Sequence, residues 1–324
     1  MRYDPLDVFS PPEEASWHQS NRNHPLVPIP APDSDKKYHL LHRLTPLDPV
    51  GISLALILVV AKTRLASDGS MGVPELLAGS LLGALRWGID RMVSVGYGLV
   101  YDYIFERFAP YQGLRTEVLA LVKRAAVNHT NPHEFTVLDI GCGTGNFTFK
   151  LAEAGFLATG IDAYDALVEL AREKRRAMHV PNLAFRQTDL AKSNAFRDGA
   201  FDQIVNIHSL YVHPEPDRLL SESFRILKPG GHAIFVNFTR RVELRATWRD
   251  IKSRFGLKAA LMCLLWVFPN ALFESMRKRI GPHYWSEDEL AARLRGAGFT
   301  VLEMRRTFFD DASVLAWARK DIAD

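Results

Sequence analysis

Residues 137–148 read VLDIGCGTGNFT, a short apolar run that leads into Gly141, Gly143 and Gly145. Glycine adopts positive φ angles readily, so these glycines allow the chain to turn sharply and to approach a ligand closely. The helical pattern that follows would add outward-pointing backbone amides at its first turn. The stretch therefore predicts a ligand-binding turn between a buried strand and a helix.

Short apolar runs alternate with helical patterns from Phe135 onward, which indicates strands joined by helices. Such alternation is typical of an α/β fold with a doubly wound, parallel sheet. Ligands of these sheets bind at the carboxyl ends of the strands, where the glycine turn would lie. The predicted strands are 135–140, 157–162, 183–189, 201–208, 232–238, 299–305 and 312–320; the predicted helices are 146–154, 163–177, 217–227 and 286–297, with a turn at KPGG, residues 228–231.

Three regions of the chain differ in pattern. Residues 1–49 are rich in Pro, Asn, Asp and His and show no sustained apolar period, which indicates an irregular arm. Residues 50–126 predict a helical extension or lid. Its apolar run at 50–61 is shorter than the roughly 20 residues that a membrane-spanning helix needs. Residues 127–324 form the predicted α/β domain, in which residues 240–281 are a helical insert.

Composition indicates a globular protein, since 47% hydrophobic and 24% charged residues are enough for an ordinary core. The net charge of +3 does not demand a nucleic-acid partner. Cys142 and Cys263 are too few for a disulfide framework or a cysteine-rich metal site, and they favour a reducing compartment. The first residues lack the features of a signal peptide, so we expect a cytoplasmic protein. The sequence shows no Cys/His spacing typical of metal ligands, so we expect no metal.

Two aspartates end the strands that follow the glycine turn. Asp162 ends the second predicted strand, where a carboxylate can accept hydrogen bonds from both hydroxyls of a ribose. Asp189 ends the third, where it can accept from the amine of adenine while the amide of Leu190 meets a ring nitrogen. An acid in such a place is often only a helix cap, but three strand ends in this order favour a nucleoside site. A nicotinamide-dependent oxidoreductase is the weaker alternative, because its third glycine would stand where this chain has Asn146.

The motifs VLDIGCGTG, GIDAYDALVELAREK, QTDL, FDQIVNIHSLYVH and RILKPGGHAIFVNF resemble those of class I S-adenosylmethionine-dependent methyltransferases of the small-molecule, quinone and lipid type. The resemblance covers about residues 115–320. It implies a Rossmann-like, seven-stranded sheet, parallel except for one antiparallel terminal strand, and S-adenosyl-L-methionine as the cofactor. The glycine turn would hold the methionine part, with Asp139 near its ammonium group. The cofactor-binding residues that it implies are Asp139, Gly141, Cys142, Gly143, Gly145, Asp162, Ala163, Asp189, Leu190 and Asn206.

Candidate catalytic residues follow the fourth predicted strand. S-adenosylmethionine is an activated methyl donor, so the protein mainly has to align the acceptor and exclude water. A phenol or alcohol acceptor would need a base, for which we consider His208, Tyr211 and His213; His213 could equally be a packing residue. A carbon or tertiary amine acceptor would need none. Nucleic-acid amino-methyltransferases carry Asp/Asn-Pro-Pro-aromatic where this chain has NIHS, which argues against a nucleic-acid substrate.

The insert at 240–281 is basic, with ten Lys or Arg against three acidic residues and therefore a local charge of +7. Its cations flank the apolar run AALMCLLWVF, residues 259–268. Such a pattern is typical of a helix that binds an anionic membrane surface. We therefore expect peripheral membrane contact through 240–281 and 50–61, and a small or lipid-like acceptor. Two alternatives remain: a lid that only covers the active site, and a non-catalytic protein that binds S-adenosylmethionine.

Overall fold

A computed structural model describes residues 102, 106–127, 129, 131–193, 195–239, 244–276, 283–308 and 311–322. The predicted arm and most of the predicted extension, including 50–61, lie outside these residues. The strands are β1 (Thr136–Ile140), β2 (Leu157–Asp162), β3 (Leu183–Gln187), β4 (Phe201–Ile207), β5 (Leu227–Phe238), β6 (Thr300–Thr307) and β7 (Ser313–Arg319). The helices are α1 (Ala109–Ala126), α2 (Asn146–Glu153), α3 (Asp165–Met178), α4 (Pro216–Ile226), α5 (Leu244–Met276) and α6 (Glu287–Gly296), with 3₁₀ turns at Pro132–Glu134 and Leu210–Val212.

The seven strands form one sheet in the order β3-β2-β1-β4-β5-β7-β6. Strands β1 to β5 pair in parallel, and β7 is antiparallel to both of its neighbours, β5 and β6. This confirms the predicted α/β, Rossmann-like, doubly wound sheet with one antiparallel terminal strand. Because the strand order reverses between β1 and β4, the carboxyl ends of these two strands form the crevice in which such sheets bind ligands.

Apolar side chains cover both faces of the sheet. Val137 of β1 belongs to one core cluster with Phe149 of α2, whereas the adjacent Leu138 belongs to a second cluster with Leu220 of α4. Successive residues of a strand point to opposite faces, so β1 is buried on both sides. This explains why the adjacent residues Val137 and Leu138 are both apolar, with no alternation of apolar and polar residues.

The start of α6 carries a reciprocal cap. The amide of Glu289 donates to Oγ of Ser286 at 3.2 Å, and the amide of Ser286 donates to Oε2 of Glu289 at 2.8 Å. Two amides that the first helical turn would leave without partners are thereby satisfied. The sequence SEDE at residues 286–289 predicts this cap, and the structure confirms it.

The predicted turn at KPGG is wrong, since β5 begins directly after α4 and runs through these four residues. Strand pairing shifts register here, from Phe201–Leu227 to Gln203–His232. The amide of Gly230, whose φ is 78°, donates to the carbonyl of Lys320 at 2.7 Å. The segment is therefore a bulge in a strand, held by backbone contact with the residue after β7, and not a free turn.

The predicted helical insert contains α5, which consists of two helical parts joined at Gly256, where φ is 84°. The flanking residues 240–243 and 277–282 lie outside the described part of the chain. Among the helices that the structure describes, none combines the length and apolar character required to span a bilayer.

Candidate active site

The turn after β1 holds its three glycines in left-handed backbone conformations. The φ angles of Gly141, Gly143 and Gly145 are 74°, 55° and 83°, in the region that favours glycine. A Cβ at Gly141 would lie 2.3 Å from Ser209, and a Cβ at Gly145 would lie 2.4 Å from Phe185. A Cβ at Gly143 would meet no atom within 4 Å. The turn is therefore closely packed on two sides and open at its centre.

Hydrogen bonds join this turn to the end of β2. The amides of Gly141 and Cys142 both donate to the carbonyl oxygen of Ile161, at 2.8 and 2.9 Å. The amide of Gly143 donates to Oδ2 of Asp162 at 2.9 Å. The structure thus brings the predicted cofactor residues of the turn together with the aspartate at the neighbouring strand end.

Cys142 belongs to this turn, and its sulfur is not reactive. Its thiol donates to the carbonyl of Gly143 at 3.6 Å, and burial raises the pKa of the thiol well above its usual value. The sulfur therefore stays protonated at neutral pH and is a poor nucleophile. The prediction that Cys142 binds the cofactor stays a prediction, and it would concern the backbone of this residue rather than its thiol.

Asp139 is a buried carboxyl near the end of β1. Its Oδ2 accepts a hydrogen bond from Oγ1 of Thr148 at 2.7 Å. Burial raises the pKa of Asp139 to about 7, against the opposing effect of the Thr148 hydrogen bond, and the nearby charge of Asp162 adds to the increase. A cation next to this carboxyl would favour the ionised form. The position is therefore suited to the positively charged group of a ligand.

Asp189 makes three contacts within the protein. Its Oδ1 lies 3.1 Å from Nε2 of His213 and accepts from the amide of Ala191 at 3.1 Å, while its Oδ2 pairs with Nζ of Lys192 at 2.9 Å. Burial alone would raise the pKa of Asp189, but the hydrogen bonds from Lys192 and His213 outweigh burial and lower it. Asp189 is therefore an ionised acceptor at the end of β3.

The residues that follow the two strand-end aspartates differ in exposure. Ala163 is exposed, and its carbonyl accepts a hydrogen bond from Nε2 of Gln187 at 3.1 Å, which joins the ends of β2 and β3. Leu190 is buried in the core. Their contacts with a cofactor stay predictions.

The predicted catalytic role of His213 is not supported by its hydrogen bonds. Nδ1 of His213 accepts from the amide of Glu215 at 3.0 Å, so in the neutral ring the proton is on Nε2, which donates to Asp189. The neutral ring therefore has no free lone pair with which to take a proton from an acceptor. Sequence spacing could not show this, because Asp189 follows β3 and His213 follows the 3₁₀ turn after β4, and these two strands are not neighbours in the sheet.

Asn206 supports the crevice from within the protein. It is fully buried; its Nδ2 donates to the carbonyl of Ile140 at 3.2 Å and to Oγ of Ser209 at 2.7 Å, and its Oδ1 accepts from the amide of Leu210. These contacts join the ends of β1 and β4 at the switch point of the sheet. Direct contact between Asn206 and a cofactor stays a prediction, although protein groups already use its amide.

His208, directly after β4, has a constrained and partly buried side chain. Its φ of 53° is unusual for a residue with a side chain, its Nε2 lies 2.9 Å from Oγ of Ser313, and its Nδ1 is buried with no partner in the part of the chain that the structure describes. Burial lowers the pKa of His208 to about 3. The ring is therefore neutral at physiological pH and is a weak base, so a role as proton acceptor is disfavoured.

Aromatic side chains from several elements surround this ring. Phe238 at the end of β5 stacks on His208 with 4.1 Å between ring centroids, and Phe308 and Tyr111 lie 4.9 and 6.2 Å away. Tyr211 contacts Phe238 edge-on at 5.1 Å. The structure thus brings the predicted residues His208 and Tyr211 into one group, which we call the His208 cluster: Tyr111, His208, Tyr211, Phe238 and Phe308.

Sequence reasoning missed a buried polar group next to the glycine turn. It consists of Asp102, Thr144, Asn146 and Lys174, all of which are at least nine-tenths buried. Thr144 and Asn146 flank Gly145 of the motif at residues 137–148, and this position next to the turn could have indicated them. Asp102 and Lys174 are 72 positions apart, and no local pattern connects them.

A family model described as "Methyltransferase domain" matches residues 106–304. The chain is 33% identical over 138 residues to a phosphatidylethanolamine N-methyltransferase of Cereibacter sphaeroides, covering 42% of this chain and 67% of the relative. It is 31% identical over 173 residues to a demethylmenaquinone methyltransferase of Tropheryma whipplei, covering 53% and 70%. A ubiquinone biosynthesis O-methyltransferase of Acinetobacter baumannii is 24% identical over 186 residues, covering 57% and 72%.

The family match includes the glycine turn, Asp139, the two strand-end aspartates and most of the His208 cluster. It spans more than half of the chain and favours methyl transfer over the oxidoreductase alternative. The chain therefore belongs to the methyltransferase-domain family and is an S-adenosylmethionine-dependent methyltransferase that acts on a small molecule.

Proposed function

We propose that this enzyme methylates a small lipophilic acceptor at the surface of an anionic membrane. The observation that carries the proposal is helix α5, which exposes apolar and cationic side chains at its kink and packs its opposite face into the core that contains the His208 cluster. One element would thus connect a membrane surface with the acceptor site.

The residues of the turn fit the proposed cofactor. The open centre at Gly143 leaves room for a ligand against the backbone. Burial raises the pKa of Asp139, and the cofactor's ammonium group next to this carboxyl would favour its ionised form. Asp162 and Asp189 supply acceptors for the ribose and the adenine. Oδ2 of Asp162 already accepts from the amide of Gly143 and Oδ1 from the amide of Tyr164, both at 2.9 Å, so the ribose would share this carboxylate with both amides.

The bound cofactor supplies an activated methyl group, and the chain's own residues position the acceptor. The His208 cluster offers flat aromatic faces next to the end of β4, and apolar walls exclude water from the reacting atoms. The neutral ring of His208 can orient a polar atom of the acceptor by hydrogen bonding. We infer that positioning, rather than proton removal by His208, is the main contribution of this cluster.

The kink of α5 presents a surface suited to lipid. Residues 252–258 are all exposed. Phe255, Leu257 and Leu261 are 46%, 56% and 52% exposed, which is unusual for large apolar side chains grouped on one helix. Cations accompany them: Lys252, Arg254, which also pairs with Asp250 at 2.7 Å, and Lys258. Apolar side chains flanked by cations favour an anionic bilayer surface.

The opposite face of the same helix is buried. Ile251, Ala260 and Cys263 belong to the core cluster that also contains Tyr211 and Phe238. In this proposal, a lipophilic acceptor that leaves the membrane at the kink moves along this buried face toward the aromatic site. The names of the phospholipid and quinone relatives support an acceptor of this kind.

Flotation with vesicles tests the membrane contact. We expect the wild-type protein to float with vesicles of phosphatidylcholine and phosphatidylglycerol at low salt, and not with phosphatidylcholine alone. The double variant F255E/L257E should stay in the aqueous fraction, because it places charge where apolar contact is proposed. L302E, at an apolar residue of β6 that is 40% exposed, is the matched control and should float. A wild-type protein that stays in the aqueous fraction at low salt refutes the contact.

Transfer of label from methyl-tritiated S-adenosylmethionine tests the acceptor class. We expect label in the organic phase when demethylmenaquinone or phosphatidylethanolamine is offered in anionic vesicles, and little transfer to a water-soluble catechol. Efficient transfer to the catechol, with none to the vesicle-borne acceptors, would show that the acceptor is not lipophilic.

A further inference from the structure

A buried carboxylate from before the family-matched residues reaches the glycine turn. Asp102 precedes residues 106–304, and only 2% of its surface is exposed. Its Oδ2 lies 2.9 Å from Nζ of Lys174, whose side chain is also buried. Buried charges are tolerated in proteins when they are paired, and Lys174 supplies the pairing charge. An ion pair therefore lies between α3 and the turn.

This carboxylate fixes the orientation of the side chains on the turn. An ionised carboxylate accepts hydrogen bonds and donates none. Oδ1 of Asp102 accepts from the hydroxyl of Thr144 and from Nδ2 of Asn146, the latter at 2.6 Å. Nδ2 of Asn146 also donates to Oγ1 of Thr144 at 3.3 Å. The amide of Asn146 cannot be reversed, because its oxygen would then face the carboxylate.

The side-chain oxygen of Asn146 is the one polar atom of this amide for which the described residues provide no hydrogen bond. Oδ1 of Asn146 is buried and lacks a hydrogen-bond partner among the residues that the structure describes, and Asn146 as a whole is 7% exposed. Buried acceptors are nearly always paired in proteins, so this one calls for a donor from elsewhere. Asn146 is the first residue of α2 and directly follows Gly145 of the turn.

We propose that Asn146 is a cofactor-binding residue whose Oδ1 accepts a hydrogen bond from the ammonium group in the methionine half of the cofactor. Asp102, paired with Lys174, is the positioning residue that turns this oxygen toward the ligand. The proposal rests on the placement of the methionine half at the glycine turn, described under the proposed function. It makes Asp102 part of the cofactor site.

Calorimetric titration of Asn146→Ala with two ligands tests the contact. S-adenosylhomocysteine carries the amino-acid group, whereas 5′-methylthioadenosine carries the same nucleoside without it. We expect the Kd of S-adenosylhomocysteine to rise about tenfold in the variant, as for loss of one charge-assisted hydrogen bond. The Kd of 5′-methylthioadenosine should change less than about twofold, because it lacks the donor.

The double variant D102L/K174M tests the positioning role. Removing both charges together avoids leaving one of them buried and unpaired. We expect the same selective loss of S-adenosylhomocysteine binding as in N146A. The matched control is D202L/K228M at the opposite end of the sheet, where Asp202 also accepts from a lysine, at 2.8 Å, and from the hydroxyl of Thr136, at 2.6 Å. This control should bind both ligands as the wild type does.

The outcomes separate this proposal from the function on which it rests. A wild-type protein that binds no S-adenosylhomocysteine refutes the placement of the cofactor itself. If the wild type binds but N146A binds equally well, or loses both ligands alike, the contact with the ammonium group is refuted. If a folded D102L/K174M binds like the wild type, Asp102 does not position Asn146. Should that double variant not fold, as judged by circular dichroism, the N146A titrations decide the proposal.

Discussion

Asp139 makes the stability of the cofactor-free protein depend on pH. Its pKa rises from 3.8 to about 7 on folding, so the folded protein holds this proton more tightly than the unfolded chain does. The free energy of unfolding therefore falls as pH rises from the unfolded-state pKa of 3.8 through the folded-state pKa of about 7. We expect the free energy of unfolding of the wild type to fall between pH 5 and pH 8 by about 2–3 kcal/mol more than that of Asp139→Asn. Urea denaturation measures the difference, and equal pH dependence in both proteins would contradict it.

His208 should not contribute an inflection to the pH profile of the reaction near neutral pH. Its pKa, lowered to about 3 by burial, keeps the ring neutral above about pH 5. We expect His208→Asn to lower kcat about tenfold, through loss of positioning, without changing the shape of the kcat/KM profile between pH 5 and pH 9. An inflection near pH 6.5 that is present in the wild type and absent from the variant would show that His208 titrates during catalysis.

At the scale of single residues, the sequence predicts groups that stand at strand ends. Asp162 and Asp189 could be placed because each closes a predicted strand, and parallel strands bring their carboxyl ends to one edge. The pairing of His213 with Asp189 could not be predicted, because it depends on how the loop after β4 folds back across the sheet. The position of Asp102 against Lys174 likewise depends on tertiary packing between distant parts of the chain.

At the scale of elements, the glycine turn leaves no room for a side chain at Gly145. A Cβ at Gly145 would lie 2.4 Å from Phe185, and φ is +83°, so Gly145→Ala meets both a clash and an unfavourable backbone. We expect a loss of stability of about 2–3 kcal/mol, measured by urea denaturation, and at least tenfold weaker binding of S-adenosylhomocysteine. Gly296→Ala in α6 is the control: a Cβ there meets no atom within 4 Å, and the change should be neutral or stabilising by up to about 1 kcal/mol. Equal effects at both glycines would contradict this account.

Element boundaries followed from the sequence where periodicity and capping agreed, as at α6. They failed at KPGG because glycine and proline indicate a turn equally well when the chain makes a bulge. The bulge is held by the backbone of Lys320, which lies ninety residues after Gly230 in the sequence. Local propensity contains no information about such a partner.

Across the whole molecule, positive charge is distributed unevenly. Residues 240–281 carry +7 while the complete chain carries +3, so the remainder sums to −4. The screening length falls from about 10 Å at 0.1 M salt to about 3 Å at 1 M. We expect the fraction bound to phosphatidylglycerol-containing vesicles to fall at least fivefold between 0.05 and 1 M NaCl, as measured by sedimentation. Binding that does not change with salt would mean that the cations of the insert do not contribute.

The sheet order also has a consequence for biosynthesis. Strand β7 is the last of the seven strands to leave the ribosome, yet it lies between β5 and β6 and pairs with both. Until it emerges, the inner edge of β5 presents unpaired backbone groups, and such edges invite pairing with other chains. A nascent polypeptide halted shortly before residue 313 would thus expose a long apolar strand, and this interval is when we expect chaperones to matter most for its survival.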